Sequence, residues 1–307
     1  MSGEARPTAS DFDPEVLRLF DEYVHGAIDR RGFLIGAARF AVGAAGAAGL
    51  LAALSPDFAA AQQVRPDDSR ITTKRVEFAS PKGYGKAVGY LAKPANAKGP
   101  LPLVLVVHEN RGLNPHIEDI TRRLVLDDFI AFAPDALFPL GGYPGNEDDA
   151  RALFRQLDQE KTHADFLAAA DWLADLDGGN GRMGAVGFCY GGGMVNFLAT
   201  HRPDLLAAAP FYGSAPDSAD VAKIEAELLV VLAANDERVN AGWPAYKAAL
   251  DAADVRYTLF QPAGTQHGFN NDTTPRYDEK AATEAWRRTI ALFERRLRGA
   301  MDGRSNA

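Results

Sequence analysis

The sequence predicts an α/β fold, a mostly parallel central sheet flanked by helices, and three observations predict it. Short apolar, β-branched runs such as Pro102-Leu103-Val104-Leu105-Val106-Val107 read as strands buried on both faces. Segments with helical spacing of apolar residues alternate with those runs, the pattern that builds parallel sheets through crossover helices. One run, Arg182-Met183-Gly184-Ala185-Val186-Gly187-Phe188, passes through Cys189-Tyr190-Gly191-Gly192 into a helix-like stretch from Met194 to His201.

Taken in order, Thr72 to Ala79 and Lys86 to Ala92 alternate in polarity and read as antiparallel leading strands. The run Pro102 to Val107 is a central strand, Ile117 to Leu126 a helix, and Phe129 to Ala133 a short buried strand. Glu147 to Leu157 and Thr162 to Leu176 form two helices, the second with Phe166, Ala170 and Leu173 on one face. Leu205 to Tyr212 and Leu228 to Ala234 are strands, Trp243 to Ala252 a helix, Arg256 to Phe260 a strand, and Lys280 to Leu297 a closing helix.

Composition narrows the function. Across 307 residues, 41 acids against 33 bases give a net charge of −8, which argues against a nucleic-acid partner. A single cysteine excludes an internal disulfide. There is no internal repeat, and Gly191-Gly192-Gly193 lacks the Lys-Ser/Thr of a phosphate loop. His25, His116 and His163 are scattered and read as surface histidines rather than ligands, so no metal is expected.

The chemistry centres on Cys189. Strand, Gly-x-nucleophile-x-Gly, helix is the layout of a nucleophile elbow, whose flanking glycines let backbone pass close to a strained turn. Alone, a cysteine is as readily a small buried hydrophobe. Context favours a nucleophile: Asp236 follows the strand ending at Ala234, and His267 lies in a loop after Phe260. All three then sit on the rim where open α/β sheets bind ligands, in the order nucleophile, acid, histidine of α/β-hydrolases. In that fold the backbone N–H groups of Tyr190 and Asn110 would form the oxyanion hole, each donor lowering the barrier by roughly 3–4 kcal/mol. Glu109 either holds a proton or a hydrogen bond for the resting thiol, or is a solvated loop acid or a partner of Arg111.

These motifs (Gly187 to Gly192, His108-Glu109-Asn110-Arg111-Gly112, Ala234-Asn235-Asp236 and His267-Gly268-Phe269) resemble the dienelactone hydrolase family of carboxymethylenebutenolidases, from about Lys74 to about Leu297. The resemblance implies a single α/β-hydrolase domain without cofactor, a Cys–Asp–His triad, opening of an unsaturated lactone, and a glutamate on the resting thiol, which fits Glu109. It also implies arginines that grip a substrate carboxylate, and here the sequence departs. Gly268-Phe269-Asn270-Asn271-Asp272 has no basic residue before Arg276, and the loop after the fourth strand offers Phe138 and Tyr143. With Phe269 and Arg111 as further pocket residues, an apolar acyl or lactone substrate is expected, because arginine is the residue suited to a bidentate carboxylate grip.

Asp29-Arg30-Arg31-Gly32-Phe33-Leu34-Ile35 looks like a twin-arginine export motif. An Ala/Gly/Leu-rich stretch from Ala37 to Leu54 and a small-x-small site at Ala59-Ala60-Ala61 follow. Residues 1–61 are therefore expected to be a signal region, removed before Gln62 after passage through the twin-arginine machinery, and 62–307 the hydrolase domain. A periplasmic or secreted enzyme without a stable membrane anchor follows. Within residues 1–28, Val16 to Phe20 can form a short amphipathic helix.

The expected reaction is attack of the Cys189 thiolate on an ester or lactone carbonyl, then hydrolysis of the thioester by water with His267 as base. The rivals are a broad esterase or thioesterase on the same triad, and a non-catalytic exported thiol sensor or ligand-binding protein.

Overall fold

The computed structural model describes residues 7–41 and 46–298. Part of the expected signal region (residues 1–6 and 42–45) and the chain end (299–307) lie outside the described residues. In chain order the strands are β1 (Ile71–Ser80), β2 (Gly85–Pro94), β3 (Leu101–Val107), β4 (Ile130–Pro134), β5 (Gly179–Phe188), β6 (Leu205–Phe211), β7 (Glu227–Val231) and β8 (Tyr257–Phe260). They form one sheet in the order β1-β2-β4-β3-β5-β6-β7-β8. β1 and β2, and β2 and β4, pair antiparallel; every other pairing is parallel.

The central strands read as continuous apolar runs because both faces are covered. On one face Leu103, Leu105 and Val107 pack with Phe166 and Leu173 of α7 (Gln159–Ala174) and Leu198 of α8 (Tyr190–His201). On the other, Val104 and Val106 pack with Ile117 and Leu124 of α5 (Pro115–Leu126) and Phe293 of α11 (Glu279–Leu297). The remaining helices of this part are α6 (Glu147–Phe154), α9 (Glu237–Asn240) and α10 (Trp243–Ala252). The expected α/β-hydrolase architecture is present, with element ends shifted by a few residues. β7 stops at Val231, so Leu232 to Asn235 become the approach to Asp236.

The N-terminal segment, expected to be a signal region, is helical and packs onto the domain. It folds into α1 (Pro14–His25), α2 (Arg30–Ala37), α3 (Gly46–Leu54) and α4 (Phe58–Ala61). α1 is longer than the Val16–Phe20 expectation because both ends are capped. Asp13 accepts from the Glu15 N–H, Pro14 opens the helix, and Gly26 closes it at φ 80°. Val16, Phe20 and Val24 recur at four-residue spacing and meet Phe33, Leu51 and Leu54 in a cluster separate from the two sheet cores. Among the described residues no helix is long and apolar enough to cross a membrane.

Polar contacts join this segment to the domain. Tyr23 donates to Asp148, Arg151 Nη1 donates to the Tyr23 carbonyl at 2.9 Å, and Arg30 pairs with Asp148 at 3.0 Å. Asn110 Nδ2 donates to the Val24 carbonyl at 3.0 Å, and the Asp57 N–H to the Thr273 carbonyl at 2.8 Å. The arginine motif thus sits in a helix: Asp29 caps α2 by accepting from the Gly32 N–H at 2.7 Å, and Phe33 is fully buried.

Candidate active site

Between β5 and α8 the backbone turns through Cys189 at φ 57°, ψ −115°, a conformation costly for a residue with a Cβ. The surroundings impose it. The Cys189 N–H donates to the Phe211 carbonyl at 3.0 Å, and its own carbonyl accepts from the Gly192 N–H at 3.0 Å. A methyl group at Gly191 would strike the Val107 and His108 carbonyls, and one at Gly187 would strike Gly191. Only glycines let α8 start this close to β3.

Asp236 and His267 are brought together by a continuation of the sheet. Past the ends of β7 and β8, Asn235 bridges to Gln266, and the Asn235 N–H donates to the Thr265 carbonyl at 2.9 Å. Asp236 caps α9, its Oδ1 accepting from the Val239 N–H at 3.2 Å, which leaves Oδ2 for His267 Nδ1 at 2.6 Å. Among the described residues no geometric hydrogen bond reaches the buried His267 Nε2. The remaining imidazole nitrogen is therefore available to the thiol, and the ligand atoms of His25, Cys189 and His267 lie within 4.8 Å of one another.

The charges follow from this packing. Burial pushes the Cys189 thiol up, but the imidazoles of His267 and His25 beside it bring it down to about 5. Burial lowers His267, yet the Cys189 thiolate and the Asp236 carboxylate raise it to about 10. Both shifts run in the direction that favours a thiolate facing an imidazolium.

His25 corrects the sequence reading. Expected on the surface, it enters from the end of α1 with Nε2 at 3.4 Å from Cys189 Sγ, its ring edge-on to His267 with centroids 4.6 Å apart. Burial opposes its protonation, but Cys189 and Asp21 raise its pKa. No local signal marks it, because its place depends on the docking of a whole helix. His116 is buried too, its Nδ1 3.3 Å from Asp272, whereas His163 stacks on Phe197.

The Glu109 carboxylate meets Asn271 and Arg111. Its Oε2 accepts from Asn271 Nδ2 at 3.2 Å and faces Arg111 Nη1 at 3.4 Å. Burial would raise its pKa, but the Arg111 guanidinium holds it below the usual carboxylate range. Glu109 is buried rather than a solvated loop acid and lies against Arg111, while His25 is on the thiol's side. Arg111 is shared with Glu147.

The Tyr190 N–H belongs to the first residue of α8, outside the helical ladder and next to the thiol. Asn110 lies in the loop after β3, its side chain spent on Val24. His108, fully buried, braces that loop: its Nε2 accepts from the Ala136 N–H at 3.1 Å while Nδ1 donates to the Glu109 carbonyl at 2.6 Å. Tyr212, missed in the sequence although it too follows a strand, packs its ring 4.9 Å from that of His267.

Of the four expected pocket residues, Arg111 and Tyr143 line a cavity of about 360 Å³, opposite Phe20, Tyr23, Leu51 and Phe58 of the N-terminal segment. Phe138 is not among the residues lining it, and Phe269 is wholly buried against Tyr212 with centroids 5.7 Å apart. An apolar residue after the histidine is used for support, not for lining. The His25, Cys189 and His267 donors could hold a soft divalent ion, but Arg238 Nη2 already approaches His25 Nε2 at 2.9 Å.

Known proteins match this arrangement. The dienelactone hydrolase family matches residues 88–297, and a family described as YqhI-like matches residues 4–42. The chain is 50% identical over 105 residues to "Putative hydrolase fragment YghX" of Escherichia coli (strain K12), across 34% of this chain and 90% of that one. It is 31% identical over 220 residues to "Putative carboxymethylenebutenolidase" of the same organism, across 67% of this chain and 81% of the relative. The crystal structure titled "Putative Dienelactone Hydrolase from Klebsiella pneumoniae subsp. pneumoniae MGH 78578" superposes with a TM-score of 0.65 at 30% identity, covering 73% of this chain and 99% of its own. The chain belongs to the dienelactone hydrolase family.

Proposed function

We propose that this carboxylic ester hydrolase of the dienelactone hydrolase type works through Cys189 as nucleophile, His267 as its proton acceptor and Asp236 as the group that orients the imidazole. The observation that carries this reading is the 2.6 Å bond between His267 Nδ1 and Asp236, with Nε2 beside a thiol on a strained elbow. The thiolate attacks the carbonyl of an ester or lactone, the N–H groups of Tyr190 and Asn110 receive the oxyanion, and water cleaves the resulting thioester.

The substrate is a small, largely apolar ester or lactone. The cavity beside Arg111 and Tyr143 sets Phe20, Leu51 and Phe58 among charged side chains, and the guanidiniums there are matched by carboxylates: Arg111 by Glu109 and Glu147, Arg30 and Arg151 by Asp148, and, nearby, Arg276 by Asp21 at 3.5 Å. A panel of p-nitrophenyl esters, acyl thioesters and neutral and carboxylated enol-lactones tests this, run beside Cys189→Ala. Neutral lactones and esters should be preferred; equal turnover of the carboxylated ones contradicts the substrate class, and a fully active Cys189→Ala contradicts the triad.

Passage through the twin-arginine machinery to the periplasm or exterior is part of the proposal, supported by the Asp29 to Ile35 motif and by the exposure of Arg30 and Arg31 on α2. Cleavage before Gln62 fits less well, because it would remove His25 and the whole α1–α3 cluster. We infer retention of the segment. Mass determination of the protein recovered from the cell envelope checks it, a mature start at Gln62 being the contrary result.

A further inference from the structure

His25 belongs to the expected export segment, yet its side chain occupies the reaction centre. Its Nδ1 donates to the Asp21 carbonyl at 2.8 Å, with the Asp21 carboxylate 3.3 Å away, so the tautomer is fixed and Nε2 is the exchanging atom. That Nε2 faces two groups: Cys189 Sγ at 3.4 Å and Arg238 Nη2 at 2.9 Å. Neutral, it can accept from Arg238; protonated, it can donate to sulfur. The two contacts are those of an imidazole built to pass through both states. The groups facing it are Asp21 on its own helix, Cys189 on the elbow, His267 on the loop after β8 and Arg238 on α9, with Arg276 behind Asp21.

We propose that His25 is a second catalytic imidazole, the acid that protonates the departing alcohol oxygen and the base that later takes a proton from water. The step rests on Cys189 as nucleophile. Sγ forms a bond to the carbonyl carbon, and the π pair moves to the carbonyl oxygen. As that pair returns, the bond to the leaving oxygen breaks, its electrons take the proton from Nε2, and neutral His25 and a thioester remain. Water then adds to the thioester as it gives its proton to Nε2; the carbon–sulfur bond breaks, the thiolate returns beside His267, and His25 is again protonated. Ester and water become acid and alcohol.

The test is a series of alkyl and substituted phenyl esters of one acid, hydrolysed by the full chain and by its His25→Gln variant. A leaving oxygen that is a weak base needs no proton, so the single-turnover rate of acylation by the p-nitrophenyl ester should change by no more than about threefold while acylation by alkyl esters slows by about 100-fold, a typical share for general acid catalysis. The dependence on leaving-group basicity is a ratio within one sample and survives a partly folded variant. An unchanged dependence overturns the proposal, whether all esters slow together, none slows, or all speed up as they would on removal of a plug. Absence of an acyl adduct on Cys189 in the active full chain would instead overturn the nucleophile, and this step with it.

Discussion

The sheet domain and the N-terminal helices are both built around apolar clusters, but the clusters differ in reach. The two sheet cores draw residues from Val64 to Leu297, so no part can leave without exposing strands. The N-terminal cluster runs only from Val16 to Leu54, and much of its attachment to the domain is polar: Tyr23 and Arg30 on Asp148, Arg151 on Tyr23, Asn110 on Val24. Water can replace such bonds at small net cost. The triad therefore stands on rigid strand ends, whereas His25 stands on a docked unit.

Four perturbations sharpen or break that contrast. The largest effect belongs to the rigid side. Asp236→Asn should leave the fold intact and lower kcat by about 10⁴-fold, because the imidazole then loses its tautomer and its charge partner. A loss below tenfold would mean that the His267–Asp236 bond is incidental.

The second is the pH profile of Cys189 alkylation by iodoacetamide. With the thiol lowered to about 5, the rate should be flat at neutral pH and fall as the pH drops through about 5, where the thiolate takes a proton. In His25→Gln the fall should move to higher pH, since one of the two imidazoles that stabilise the thiolate is gone. A profile rising only above pH 8 in the unaltered chain would contradict the ion pair.

Third, Phe33→Ala should cost about 3–5 kcal/mol in the N-terminal cluster, yet leave the melting of the sheet domain nearly unmoved. The same size of loss at Phe132, in a sheet core, should lower the melting of the whole protein. Limited proteolysis beside a thermal melt separates the two; a single shared transition in both variants would show one cooperative unit. The smallest effect is expected of Asn110→Ala, about 1 kcal/mol from the bond to Val24, read as faster proteolysis of residues 1–61 with the domain's melting unchanged.

The contrast also explains what could be read from sequence. Cys189, Asp236 and His267 each follow an apolar strand, and a parallel sheet delivers strand ends to one rim, so their convergence is a consequence of patterns that short windows carry. His25 has no such warrant. Its neighbours Tyr23 and Val24 mark an amphipathic face, but where that face docks is decided by Asp148, Arg151 and Asn110, more than eighty residues on. Side-chain direction in loops was equally hidden. Glu109 and Asn271 meet across loops far apart in sequence, and Phe269 turns inward beneath Tyr212, choices that composition does not encode. The arginine motif was legible as a motif, while its helical packing depends on Phe33 finding a pocket.

The central claim is that ester cleavage passes through sulfur. Intact-mass measurement during turnover of a slow ester tests it most directly. The full chain should gain one acyl group, mapped to Cys189 and lost on standing, while Cys189→Ala gains none and turns over about 10⁶-fold more slowly. Steady hydrolysis with no mass added to Cys189, or an alanine variant that keeps its activity, would contradict the account.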